Sequence, residues 1–136
     1  MKRVLVLIVL LGGSFYLPAQ SSKITSGAII TWGKSTHDFG DVFQGEKVEH
    51  VFRFTNTGNQ DLVITNVEVT CGCTTPKGWP RDPIQPGGSG ELTVAFDSAG
   101  KIGKQNKVIT ITSNSVGTLN QVMFSANVLE KKQSNR

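Results

Sequence analysis

From Lys47 to Thr55 the side chains alternate. Val48, His50, Phe52 and Phe54 fall on one side, and Lys47, Glu49, Arg53 and Thr55 on the other. A period of two marks a strand with one buried face, because a helix would spread the same residues around its circumference. Val51 is the lone apolar residue on the outer side. Asn56-Thr57-Gly58-Asn59 then supplies turn chemistry for an antiparallel return, with Gly58 free to take positive φ. One strand of this kind requires others to cover its apolar side.

The rest of the chain supplies them. Ile29 to Trp32 starts a first strand, and His37 to Val42 is a short extended piece anchored by Phe39 and Val42. A strand from Leu62 toward Cys71 changes phase partway, since Leu62 and Ile64 share one parity and Val67, Val69, Cys71 and Cys73 the other. A bulge near Thr65-Asn66 keeps both sets facing inward. Leu92, Val94 and Phe96, then Ile109 and Ile111, then Val122, Phe124, Ala126 and Val128 form further inward faces. Between Thr74 and Gly90, Pro76, Pro80, Pro83 and Pro86 exclude helix and central strand. That stretch reads as a long edge connection pinned by Trp79 and Ile84. About seven short strands, with turn signals between them and no helical period, predict an all-β, antiparallel β-sandwich.

The first residues have a different character. Met1-Lys2-Arg3, the apolar run Val4–Leu11 and Leu17-Pro18-Ala19 form the pattern of a cleaved signal peptide, with the run too short to span a bilayer. The expected organisation is a leader over 1–19, a lead-in with the first strand over 20–35, the sandwich over 36–129 and a polar tail over 130–136. The mature chain is expected to be secreted or periplasmic, with no stable membrane anchor. From Gln20 onward 12 basic residues face 10 acidic ones, leaving +2 where the whole chain carries +4. Lys101, Lys104 and Lys107 form one modest cluster without interleaved aromatics, so no nucleic-acid surface is expected. A domain of this size can bury a core without a disulfide framework.

The order of short motifs carries a resemblance. His37-Asp38-Phe39-Gly40, Gly45-Glu46, Phe52-Arg53-Phe54-Thr55-Asn56-Thr57-Gly58, Leu62-Val63-Ile64, Cys71-Gly72-Cys73-Thr74 and Pro83-Ile84-Gln85-Pro86-Gly87 follow one another. The series resembles the Domain of Unknown Function 1573 family, secreted bacterial Ig-like domains related to Hydin-type β-sandwiches, over Thr36 to Val128. The resemblance implies a seven-stranded Ig-like fold outside the cytoplasm and no activity. Its Hydin-type relatives imply a protein-interaction module.

Both cysteines of the chain stand in Cys71-Gly72-Cys73. In an extended Cys-x-Cys the Cα atoms lie about 6.5–7 Å apart, at the edge of disulfide geometry, so closure needs a kink that Gly72 permits. A bridge, two packed thiols, a labile redox bridge and soft-metal binding such as Cu(I) all remain open, with the bridge or plain burial expected first. His50 lacks a second ligand at useful spacing. No Gly-x-Ser-x-Gly, His-Glu-x-x-His or Walker pattern occurs, and Gly87-Gly88-Ser89-Gly90 precedes a strand and lacks the lysine of a phosphate loop.

The function expected is therefore a non-enzymatic, extracytoplasmic interaction or structural module without a cofactor. Its partner would be another envelope or extracellular protein, engaged through a loop carrying Lys77, Trp79 and Arg81. The alternative is a small thiol redox or copper-binding protein centred on Cys71 and Cys73.

Overall fold

The computed structural model describes residues 12–14, 16–18, 26–117 and 120–131. Most of the expected leader and residues 132–136 of the polar tail lie outside them. Among the described residues eight strands form: β1 (Ile30–Trp32), β2 (Thr36–Phe43), β3 (Lys47–Asn56), β4 (Ile64–Val69), β5 (Thr74–Gly78), β6 (Ser89–Asp97), β7 (Gly103–Ser113) and β8 (Gln121–Leu129). They make two four-stranded sheets, ordered β1-β3-β6-β5 and β2-β8-β7-β4. The fold is an all-β sandwich.

Its strand pairing departs from the expected antiparallel pattern, for β2 runs parallel to β8. The cause is a strand that changes layer without changing direction. Gly33 still donates its N–H to Arg53 O on β3 (3.0 Å), whereas two residues later Ser35 O accepts from Met123 N on β8 (2.8 Å). Farther along β2 the register slips between Asp38 and Asp41. Gly40 takes a φ of +70°, and its N–H is held by Asp38 Oδ1 at 2.8 Å. This bond, helped by the Ser125 hydroxyl, holds the Asp38 carboxyl below its ordinary 3.8. The slip lets Phe39 and Val42, three residues apart, both face inward.

The alternation in β3 places Phe52 and Phe54 in the core opposite residues of the other sheet, with Leu92, Val94 and Phe96 beside them on β6. Ile109, Ile111, Val122, Phe124 and Val128 close the far side. Phe96 and Phe124 meet across the layers with ring centroids 5.2 Å apart. The phase change expected at Thr65-Asn66 is a register shift between Ile64 and Asn66 in the β4–β7 pair, and it brings Ile64 and Val67 both into the core.

Three expectations need correction. The strand after the first turn ends at Val69 rather than Cys71, and Leu62 instead makes a two-way backbone bridge with Ile84. The stretch expected to be irregular from Thr74 begins with a true edge strand, β5, paired to β6. Pro76 is accommodated because only one side of β5 is paired, and the register slips between Pro76 and Gly78. Gly58 does not adopt positive φ. Glycine is required there by close approach, since a Cβ would meet Gly27 O at 2.2 Å.

Two buried polar residues tie the layers together. Ser98 Oγ donates within the reach of two carbonyls, Phe43 O (3.0 Å) and Glu46 O (2.7 Å). Asn56 is fully buried at the end of β3, and its side chain is fully used. Its Oδ1 accepts from Gly58 N (3.0 Å) and Ile29 N (3.3 Å), while Nδ2 donates to Gln60 O (2.7 Å) and Ile84 O (2.9 Å). Replacing Asn56 with Ala strands these backbone groups in the interior. The expected loss is about 3 kcal/mol or more in chemical denaturation, and a loss under about 1 kcal/mol would show that water substitutes for the amide.

At the seam between the sheets, His37 of β2 stacks on His50 of β3 with centroids 3.6 Å apart and planes 9° from parallel. Phe39 lies edge-on to His37, and Phe52 edge-on to His50. Burial, then the neighbouring His37 and Lys34, push the His50 pKa below its ordinary 6.5. A base with a depressed folded pKa stabilises the fold above its unfolded pKa. That contribution is lost as pH falls through the folded value. Denaturation midpoints followed down from about pH 7.5 to 5 should fall below 6.5, and the His50→Leu variant should show a flatter profile.

Candidate functional site

The turn between β4 and β5 carries the chain from one sheet to the other and holds both cysteines. Thr74 N donates to Cys71 O (3.2 Å), closing the turn, and Asp97 N donates to Cys73 O (2.8 Å), fastening it to the end of β6. Thr74, buried, is the first residue of β5. The Cys71 and Cys73 Cα atoms are 5.4 Å apart and their sulfurs stand within bonding distance. This is shorter than the extended spacing because residues 70–73 form a bend and turn rather than the end of a strand. The expected role of Gly72 is not what achieves it. Gly72 does not adopt positive φ, and a Cβ there would meet nothing within 4 Å.

The two sulfurs are not equivalent. Cys71 Sγ accepts the backbone N–H of Cys73 at 3.3 Å. Cys73 packs partly against the core and also lines a groove of about 280 Å³ on the outer face of β3, β6 and β5. The groove walls include Lys47, Glu49, Lys77 and Asp97. Their charges are paired across strands: Lys77 with Glu49, and Lys47 with Asp97 at 4.0 Å. The floor is neutral and the rim carries alternating signs. A wider depression of about 860 Å³ lies around Phe43–Glu46 and Leu129–Lys131, where the chain leaves β8, but it has no thiol or imidazole.

Of the residues singled out in sequence, the structure brings Lys77 to Cys73 in one groove. Trp79 and Arg81 lie apart from it. The chain runs past the end of β5 there, and the Arg81 guanidinium sits 3.8 Å over the Trp79 ring. The Trp79 ring rests partly on the core, and its Nε1–H has no acceptor among the described residues. Lys47, Glu49 and Asp97 escaped the sequence reading because they look like ordinary outward residues of separate strands. Only the register Lys47↔Asp97 in the β3–β6 pair shows them as neighbours of the cysteine turn.

The arrangement is compatible with sulfur chemistry. Two sulfurs alone give a soft ion two ligands, and no cluster of three or more His, Cys, Asp or Glu side chains occurs among the described residues. A bridge enclosing one residue constrains the unfolded chain little. Loop-closure entropy gives about 1–2 kcal/mol for so small a ring, against about 3 for a 15-residue loop. Replacing both Cys71 and Cys73 with Ser should therefore cost no more than about 2 kcal/mol in chemical denaturation. Loss of folding would assign the pair a structural role instead.

Comparison with known proteins places the chain among sandwiches of this kind. Residues 30–128 match the family described as protein of unknown function (DUF1573). No curated protein matches the sequence. A protein of unknown function from Porphyromonas gingivalis W83 is similar in structure, with 21% identity and a TM-score of 0.64. The match covers 81% of this chain and 51% of that one, so the chain spans about half of its length. The ASH / PapD-like domain of human CEP192 is similar at 12% identity and a TM-score of 0.59, over 78% of this chain and 89% of that one. The secreted serine protease VesC from Vibrio cholerae matches with 17% identity and a TM-score of 0.59. That match covers 78% of this chain but 24% of the protease. At these identities the likeness is one of fold.

Proposed function

Starting from the fact that the chain belongs to the DUF1573 family, we propose that it is an extracytoplasmic, non-enzymatic protein-interaction module, delivered by its leader to the periplasm or the cell exterior. The observation that carries this reading is the Trp79–Arg81 pair. A guanidinium seated over a half-buried indole is an amphipathic surface, and Trp and Arg are the residue types that dominate binding energy at interfaces. The PapD-like likeness to the CEP192 domain supports a module of this class without naming a partner.

The edge on which this surface sits also says how a partner engages. β5 is the outermost strand of its sheet, but Pro76 has no N–H to offer and the adjoining register shift bends the strand. Such an edge resists the addition of another strand. Binding therefore runs through side chains beyond β5, with Arg81 donating to carboxylates or carbonyls of an envelope or extracellular protein.

Arg81→Glu tests this with little risk to the fold, because Arg81 is exposed. Cross-linked capture from envelope fractions should lose a specific partner by about tenfold or more in Arg81→Glu, and retain it in the exposed control Lys104→Glu. Equal recovery by both variants would remove this surface from consideration.

A further inference from the structure

We propose that Cys71 and Cys73 form a thiol–disulfide exchange site, with Cys73 as the sulfur attacked from the groove, Cys71 as the leaving thiolate, and the cysteine thiols of an extended peptide or protein as substrate. This goes beyond the interaction surface at Trp79 and Arg81 and does not depend on it.

Three observations converge. Cys73 lines the groove and Cys71 does not, so an incoming thiolate lying in the groove meets Cys73 Sγ first. Cys71 Sγ receives the Cys73 backbone N–H, a fixed donor aimed at the sulfur on which negative charge develops when the bond breaks. Gly72 at the tip of the turn is exposed, and no atom stands within 4 Å of where its Cβ would be, so the approach to the pair is open. The turn is also anchored from both sides by backbone bonds, Thr74 N to Cys71 O and Asp97 N to Cys73 O. Opening the bridge leaves these anchors in place, and the sulfurs stay poised to close again.

The chemistry balances as ordinary exchange. A substrate thiolate attacks Cys73 Sγ along the S–S axis, a mixed disulfide forms, and Cys71 departs as a thiolate that takes up the proton released by the substrate thiol. A second substrate thiol then attacks the substrate sulfur of the mixed disulfide and releases Cys73. The substrate dithiol is oxidised to a disulfide, and the Cys71–Cys73 pair is reduced by the same two electrons. The groove's alternating rim, with Lys77 beside Glu49 and Lys47 beside Asp97, suits a polar peptide of mixed charge.

The test uses the full chain as recovered from its host. The oxidised protein is treated with reduced glutathione, or with a cysteine-containing peptide bearing both Lys and Glu. It is then quenched in acid, alkylated and mapped by fragmentation mass spectrometry. The expected result is the substrate adduct on Cys73 and the alkyl group on Cys71, in at least about tenfold excess over the reverse, with the peptide reacting faster than glutathione. The denaturation midpoint should change little on full reduction. The proposal is overturned by adducts divided evenly or favouring Cys71, or by a pair that stays closed to both thiols. Peptide and glutathione reacting equally fast, thiols that oxidised glutathione cannot join, or a chain that unfolds on reduction would overturn it too.

Discussion

One carboxamide holds the sandwich to a single arrangement. Asn56 ends β3 in the interior, and its two donors and two acceptor positions bind the start of β1 at Ile29, the turn at Gly58 and Gln60, and the far connection at Ile84. Its own backbone continues the work, since Asn56 N donates to Gly88 O and Asn56 O accepts from Gly87 N. Hydrophobic burial explains why two sheets collapse onto each other, but it is indifferent to small slips of one loop against another. A buried amide with no alternative partner is not indifferent, because any slip leaves donors or carbonyls unmet. The long passage from β5 back to β6 is thereby given one path, and the edge surface it carries has a rigid base.

The two poles of the molecule are built differently. At one end Ser98 gathers the β2–β3 turn and the end of β6, and the cysteine turn is fastened to the same end through Asp97. At the other, Asn56 gathers the first strand, the β3–β4 turn and the segment leading from Trp79 to Gly88. The sulfur groove and the Trp79–Arg81 surface thus belong to opposite poles joined by one short strand, β5.

Much of this was legible in the chain. Alternation in Val48–Phe54 and in Leu92–Phe96 identified the core faces because period two has one structural meaning when one face is wet. The phase change around Thr65-Asn66 announced its bulge for the same reason. What period cannot convey is which strand lies beside which. Hence the parallel β2–β8 pair, the strand hidden at Pro76 and the groove shared by Lys47, Lys77 and Cys73 emerged only with the topology. Asn56 and Gly58 were visible as turn residues, yet their demanding roles were not. One is an interior hydrogen-bond hub, and the other is a point where two backbones nearly touch, and both depend on residues about 30 positions away.

The parallel pairing of β2 with β8 has a consequence for how the chain comes to be folded. β8 lies between β2 and β7, so it completes the hydrogen bonding of one sheet on both sides. Until Leu129 has left the ribosome, β2 has no neighbour and that layer cannot close over Phe52 and Phe54. Long-range pairing of this kind delays folding, since the loop spanning most of the chain must close before the contact stabilises it. A nascent chain built this way stays open until β8 has emerged, so the sheet closes in one late step.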